Sequence, residues 1–386
     1  MDVASRPRPN IAPEIRALAD RVTIAAIRDA AEIIRGACVR TPLLPFGRSE
    51  DGDRFGRTRV WLKPESLQPI GAFKLRGAYY NVATLTREER ARGVVAHSSG
   101  NHAQGVARAA RLLGVRAVIV MPTDAPKVKV DRVREDGAEI VFVGPDSEER
   151  AQKAAELERT AGFVPVAPYD DVKTIIGQGT VGLEIVEQIA EVEAAGVEAA
   201  GAAVASDETA NRPAPAPATN SPAPAPLTVL VPVGGGGIAA GVAVAVKSLR
   251  PDARVIGVEP ALAADGRDSL ARGELVTWPS ESVGRTIADG QRTAHIGRIP
   301  FAIFADYLDG IVAVEEDEIV LAMVRAAREA RLVLEPSGAT AFAALLFHAG
   351  ELPSDGRTVC ILSGGNVDPA QYRELLGRGA ALESRA

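Results

Sequence analysis

Cysteine is nearly absent: the 386 residues contain only Cys38 and Cys360, too few and too far apart for a disulfide framework. Each sits in an apolar stretch, and the expectation is a pair of buried structural thiols. Long apolar runs are also missing. None is long enough to span a bilayer, and the opening MDVASRPRPN has no apolar core of the secretory kind. No block of lysine or arginine occurs, and the net charge is −6, so neither nucleic acid nor membrane is an expected partner. Together these absences predict a cytoplasmic protein.

What is present is the composition of a globular chain, 46% hydrophobic and 24% charged. The length exceeds what one compact core usually holds, which predicts two lobes. Residues 1–20 read as a mobile extension. A helix is predicted from Thr23, a plausible N-cap, to about Gly36, with Ile24, Ile27, Ala31 and Ile34 on one face. A Gly-rich loop around 51–56 precedes a strand from Arg59 to Lys63, and Phe73 to Leu85 reads as helix. From Val94 onward short apolar runs alternate with helical stretches, a rhythm that predicts parallel sheet covered on both faces. The rhythm breaks at 191–226, which is Ala/Glu-rich and then reads NRPAPAPATNSPAPAP. Proline lacks an N–H and restrains its predecessor, so this Ala-Pro repeat is predicted to be extended and disordered. Because a βαβ unit resumes at Thr228, the stretch reads as a surface insertion rather than a linker.

Four segments carry chemistry. In KPESLQPIGAFKLRGA (63–78), Lys74 follows a Pro- and Gly-containing loop at the start of a helix. The helix dipole and nearby Arg76 are expected to depress its pKa and favour a nucleophilic neutral amine. The bland alternative is an ordinary first-turn lysine. SSGNHAQG (98–105) follows a strand, and its small residues before a helix start suit a carboxylate, or only a capped turn. VGGGGI (233–238) strips side chains from a helix N-terminus and makes a nest of N–H donors for one phosphate. Gly235, Gly237 and Ala240, with Glu259 about 20 residues on, also satisfy a loose dinucleotide fingerprint. A nicotinamide-dependent dehydrogenase is therefore the alternative from another class. Finally, CILSGGNVD (360–368) ends an apolar strand with Ser363, placed to bond a ring nitrogen or only to turn the chain.

Taken in this order, the segments resemble the fold-type II pyridoxal-phosphate (PLP) enzymes, specifically the threonine/serine dehydratase (threonine ammonia-lyase) and serine racemase family, over about residues 23–368. The resemblance implies an α/β fold of two lobes, each a mostly parallel twisted sheet with helices on both faces. Residues 21–91 and 170–386 would form the large PLP-binding lobe, 92–169 the small substrate-closing lobe, with 191–226 inserted in the large one. It implies that Lys74 carries PLP as a Schiff base and serves as the α-proton base, next to Phe73. Asn101 would face the cofactor 3′-oxygen, and Ser98, Ser99, Gly100, Asn101 and His102 would hold the substrate carboxylate. Ser99 matches the acid/base on the second face in the racemases. Gly234, Gly235, Gly236 and Gly237 would cradle the phosphate, and Ser363 would pair with the ring nitrogen. Glu259, the Ala263 carbonyl and Asp265 resemble a Mg²⁺ or Ca²⁺ site of the racemase-like branch, with oxygen ligands suited to a hard cation.

The motif sets 169–171, 177–184, 286–290 and 335–338 match as well. In the lysine motif, Ala72 and Ile70 depart from the family's usual residues. No long tail follows Asp368, so feedback regulation by isoleucine is not expected. The implied activity is α,β-elimination of water from L-threonine or L-serine, giving 2-oxobutanoate or pyruvate and ammonia, by a homodimer. Racemization of serine or another amino acid, and dehydration of hydroxyaspartate or phenylserine, are the neighbouring readings.

Overall fold

Segments such as Ala117–Pro122 (AVIVMP) and Leu227–Pro232 (LTVLVP) are buried at every position. A strand with no polar face must be covered on both sides, and that requirement organises the molecule. The computed structural model describes residues 9–47, 58–98, 100–125, 127–144, 147–206 and 225–384.

The chain begins with α1 (Pro13–Ala19), α2 (Ile24–Ile33), β1 (Leu44–Phe46), β2 (Arg59–Pro64), α3 (Lys74–Ala83) and α4 (Arg87–Arg92). It continues through β3 (Val94–His97), α5 (Asn101–Leu113), β4 (Ala117–Pro122), α6 (Lys127–Glu135), β5 (Glu139–Val143), α7 (Ser147–Ala161) and β6 (Val164–Pro165). Next come α8 (Val172–Ser206), β7 (Leu227–Pro232), α9 (Gly237–Leu249), β8 (Arg254–Pro260), α10 (Asp265–Arg272), α11 (Ser280–Val283) and α12 (Arg298–Tyr307). The last elements are β9 (Gly310–Val314), α13 (Glu316–Arg325), α14 (Pro336–Phe347), β10 (Arg357–Leu362) and α15 (Pro369–Glu383).

Two sheets result. The small one has the order β5-β4-β3-β6, all parallel. The large one runs β1-β2-β10-β7-β8-β9, parallel except for the antiparallel edge strand β1. Alternate residues of one strand feed cores on opposite faces: Val229 and Val231 enter one, Leu230 the other. In the small sheet Ile119 and its neighbour Val118 divide in the same way. This is the two-lobed α/β architecture expected.

The register places the chemistry. β10, last in sequence, inserts between β2 and β7, with Leu362 opposite Pro64 and Cys360 opposite Leu230. The loops after β2, β10 and β7 therefore emerge side by side at the carboxyl edge of the sheet, where open α/β folds bind ligands.

Several expectations change. Part of the presumed mobile extension is α1, whose flanking Ile11, Ile15 and Leu18 pack on the main core. Their helical spacing, with Pro13 at the first turn, supplies the reason. The stretch 191–226, expected as a disordered insertion, instead continues α8 as far as Ser206. The Ala-Pro repeats (207–224), the Gly-rich loop at 51–56 and residues 1–8 lie outside the described residues. Cys360 is buried, but Cys38 is only half-buried, and both thiols are free. Thr23 does cap α2, accepting from the Ala26 N–H at 3.2 Å. Among the described residues no helix is long and apolar enough to cross a membrane.

Candidate active site

The lysine loop is stitched to the end of β10. Gly71, at φ +72°, turns the chain, a conformation glycine adopts without strain. The Gly365 N–H donates to the Gly71 carbonyl (2.9 Å) and the Phe73 N–H to the Ser363 carbonyl (3.0 Å). α3 then starts at Lys74 with no side chain capping it.

Lys74 is half-buried in the cavity wall, and its ammonium donates to the Pro168 carbonyl at 2.8 Å. Burial lowers its pKa to about 8, since an apolar surround disfavours the charged form. Arg76 plays no part, contrary to the sequence-based expectation. Its guanidinium is committed to Glu65 (Nε–Oε2 2.7 Å) and Glu184 (Nη1–Oε1 2.6 Å). Lys63 joins the cluster, donating to Glu184 Oε2 at 2.6 Å and to the Thr41 carbonyl at 2.7 Å. Burial opposes ionisation of Glu65, but Arg76 outweighs it and holds the carboxyl below its usual range. Two cations and two carboxylates thus neutralise one another beneath α3, joining it to β2 and α8.

A cavity of about 500 Å³ brings most of the expected residues together. Phe73, Lys74, Ser98, Gly100, Asn101 and His102 line one part of it, and Gly234–Gly237 with Ser363 another. The glycine loop is tight. Gly236, at φ +90°, precedes α9 with no side-chain cap, so no side chain of its own start competes with a ligand for the first N–H groups of that helix. A Cβ on Gly235 would stand 2.2 Å from Cγ of Tyr169. Ser363 Oγ meanwhile donates to the Ser337 carbonyl at 3.3 Å. Ser99 lies outside the described residues.

His102 is buried, with Nε2 2.8 Å from the Val166 carbonyl. Burial, then the charge on Lys74, lower its pKa to about 3. It is therefore neutral, donates through Nε2, and cannot offer a positive charge to a carboxylate. Asn101 opens α5 and donates to Glu335 Oε1 at 2.6 Å. Glu335 is a site residue whose role the sequence did not disclose. Burial, then neighbouring Asp289, raise its pKa. Asp289 in turn pairs with Lys129 from α6.

The expected cation ligands lie elsewhere. Glu259 is fully buried, and its two oxygens accept the N–H groups of Gly266 (3.0 Å) and Arg267 (2.9 Å) at the start of α10. Burial, then Asp265, raise its pKa. This placement also removes the dinucleotide reading. A ribose-binding acid must be accessible at the strand end, whereas Glu259 is occupied by backbone, and the glycine loop shares its cavity with Lys74.

The amine, the anion cradle and Ser363 fit a pyridoxal phosphate in donor chemistry and in available space. Comparison with known proteins agrees. Residues 34–364 match the family of pyridoxal-phosphate dependent enzymes. The chain is 36% identical to the L-threo-3-hydroxyaspartate ammonia-lyase of Saccharomyces cerevisiae, over 92% of this chain and 96% of that protein. It is 35% identical to the L-threonine ammonia-lyase of Thermotoga maritima, over 94% and 80%. The structure of maize serine racemase superimposes with a TM-score of 0.77 at 32% identity, covering 94% of this chain and 99% of that one. With this fold, this cavity and a family match spanning most of its length, the chain belongs to the pyridoxal-phosphate dependent enzyme family.

Proposed function

We propose that this protein is an ammonia-lyase that eliminates water from L-threonine or L-serine, releasing 2-oxobutanoate or pyruvate and ammonia. One observation carries the reading. The Lys74 amine, with no carboxylate partner among the described residues and shifted to about 8, shares a cavity with the uncapped glycine start of α9. An amine near neutrality suits an aldehyde, and a ring of N–H donors suits its phosphate.

When bound, pyridoxal phosphate supplies an electron sink for the substrate's α-carbon. The chain's residues supply the rest. Lys74 would hold the aldehyde covalently and, as a neutral amine, accept the α-proton. Such positioned proton transfer typically contributes about 10²–10⁴-fold. Gly234–Gly237 would hold the phosphate, Ser363 the ring nitrogen and Asn101 the ring oxygen. Backbone N–H groups at 98–102 would bind the substrate carboxylate at the start of α5, with His102 as a neutral wall. In the same reading residues 92–169 close over the substrate, and the enzyme works in the cytoplasm as a homodimer.

A cation, Mg²⁺ or Ca²⁺, at Glu259, the Ala263 carbonyl and Asp265 belongs to this reading too. Asp265 Oδ2 is buried without a partner, and oxygen donors suit such an ion. Two neighbouring readings are set against it by the test. Arg150 lines the cavity, which favours a second carboxylate, as in 3-hydroxyaspartate. Likeness to maize serine racemase favours racemization of serine, with Ser99 as the second acid/base.

The test is a keto-acid release screen over threonine, serine, 3-hydroxyaspartate and phenylserine, with chiral analysis of recovered serine. The proposal expects the highest kcat/KM for keto acid from threonine or serine. Cofactor-loaded protein that releases none from any of them, or that only inverts serine, overturns it.

A further inference from the structure

We propose that Asn366 and Arg132 are positioning residues that set the amide of Asn101 through a hydrogen-bonded chain crossing between the two lobes. The inference rests on the reading above, in which Asn101 meets the cofactor ring oxygen.

Partner chemistry fixes each amide. The Asn366 Nδ2 group donates to the Ile70 carbonyl at 2.6 Å and to Asn101 Oδ1 at 2.8 Å. A carbonyl only accepts, so the nitrogen of Asn366 must face Ile70. Its oxygen then receives the guanidinium of Arg132, a group that only donates. With both hydrogens of Asn366 placed, Asn101 must turn its oxygen toward Asn366 and its nitrogen toward Glu335, to which it donates at 2.6 Å. An amide nitrogen has two hydrogens. One is spent on Glu335, which leaves a single N–H of Asn101 for a ligand in the cavity that it lines. Flipping Asn366 would place like against like at three contacts, and flipping Asn101 at two.

The backbone has been shaped to admit this chain. A Cβ on Gly71 would lie 2.4 Å from Asn366 Oδ1, and one on Gly364 would lie 2.2 Å from Glu335 Oε1. Asn366 and Glu335 are 9% and 3% exposed, so water competes little for these bonds.

The chain also spans the molecule. Arg132 and Asn101 belong to elements around the small sheet, whereas Ile70, Glu335 and Asn366 lie beside the large one. One turn before Arg132 on α6, Lys129 pairs with Asp289 of the large lobe. α6 therefore grips the opposite lobe twice, and Asn101 is fully oriented only while that grip holds.

A double-mutant cycle on the cofactor dissociation constant tests this. The variants are Asn366→Leu, Arg132→Ala and Asn101→Ala, with each of the first two also combined with Asn101→Ala. Borohydride trapping on Lys74 serves as a control on the underlying reading. Loss of one hydrogen bond weakens cofactor retention by about 2–10-fold. That loss is expected for Asn366→Leu in the native background, and a smaller one in the same direction for exposed Arg132→Ala. In the Asn101→Ala background both effects should vanish. Equal effects in the two backgrounds would mean that Asn366 acts on the fold rather than through Asn101, and would overturn the inference. So would wild-type retention in both single variants. If Asn366→Leu does not fold, the Arg132→Ala cycle decides by the same criterion. Absence of a trapped adduct in the unmodified chain defeats the functional reading instead, which keeps the two failures apart.

Discussion

Lys74 and Arg76 are two residues apart on α3, Arg76 fully buried and Lys74 half-buried in the cavity wall. Their surroundings differ in charge. Arg76 has Glu65 and Glu184 against it, while among the described residues Lys74 has the Pro168 carbonyl and the Phe73 ring, 5.2 Å from its nitrogen, and no carboxylate. The paired cation stays charged and holds the helix start in place. The other is driven toward its neutral form, the state that the proposed role as nucleophile and base requires. One short segment thus separates support from chemistry by where the carboxylates are placed.

Removing each group should give opposite results. For Lys74→Ala, the visible absorbance of lysine-bound cofactor should disappear and turnover fall by at least about 10²–10⁴-fold, with the fold intact. Spectra and kcat of the purified variant check this, and substantial turnover would equate Lys74 with an ordinary lysine. For Arg76→Ala, Glu65 and Glu184 lose their shared partner inside the protein. Breaking a buried pair in this way costs about 3–5 kcal/mol, to be read from urea unfolding of the apoprotein. A loss below about 1 kcal/mol would show that the cluster does not brace α3.

Gly235→Ala sharpens the contrast from the cradle side. Its Cβ would fall 2.2 Å from Cγ of Tyr169, so the ring must shift, at about 1–3 kcal/mol as for other overpacked sites. Reduced thermal stability and weaker cofactor retention are expected together, and unchanged values of both would mean that the loop has room to spare.

Lys74 also gives stability a dependence on pH. Lys74 titrates at about 8 in the fold against an ordinary 10.5. Between those values the unfolded chain binds more protons, so apoprotein stability should rise with pH across that window. Lys74→Met should lack this contribution, as unfolding curves of both proteins from pH 7.5 to about 10.5 can show. A parallel rise in the two would assign the slope to another group.

The parallel-sheet elements were legible because apolar runs and Gly-rich turns are local signals. The strand ranges at 139–143 and the helix range at 147–161 need no tertiary information. Lys74, the glycine loop and Ser363 were legible by motif. The cause of the lysine shift was not, because Arg76 is near in sequence and its carboxylate partners are far away or not evidently aimed at it. Glu184 is 108 positions on. Glu335 and Asn366 lay in segments the sequence singled out, but their roles were hidden for the same reason: their partner Asn101 is 234 and 265 positions distant. α1 was missed because a Pro-rich start masked the spacing of Ile11, Ile15 and Leu18.

The most direct measurement is borohydride reduction of the protein loaded with pyridoxal phosphate, followed by peptide mass mapping. The account predicts one stable pyridoxyl group, on Lys74. A group on another lysine instead, or none at all, would contradict it.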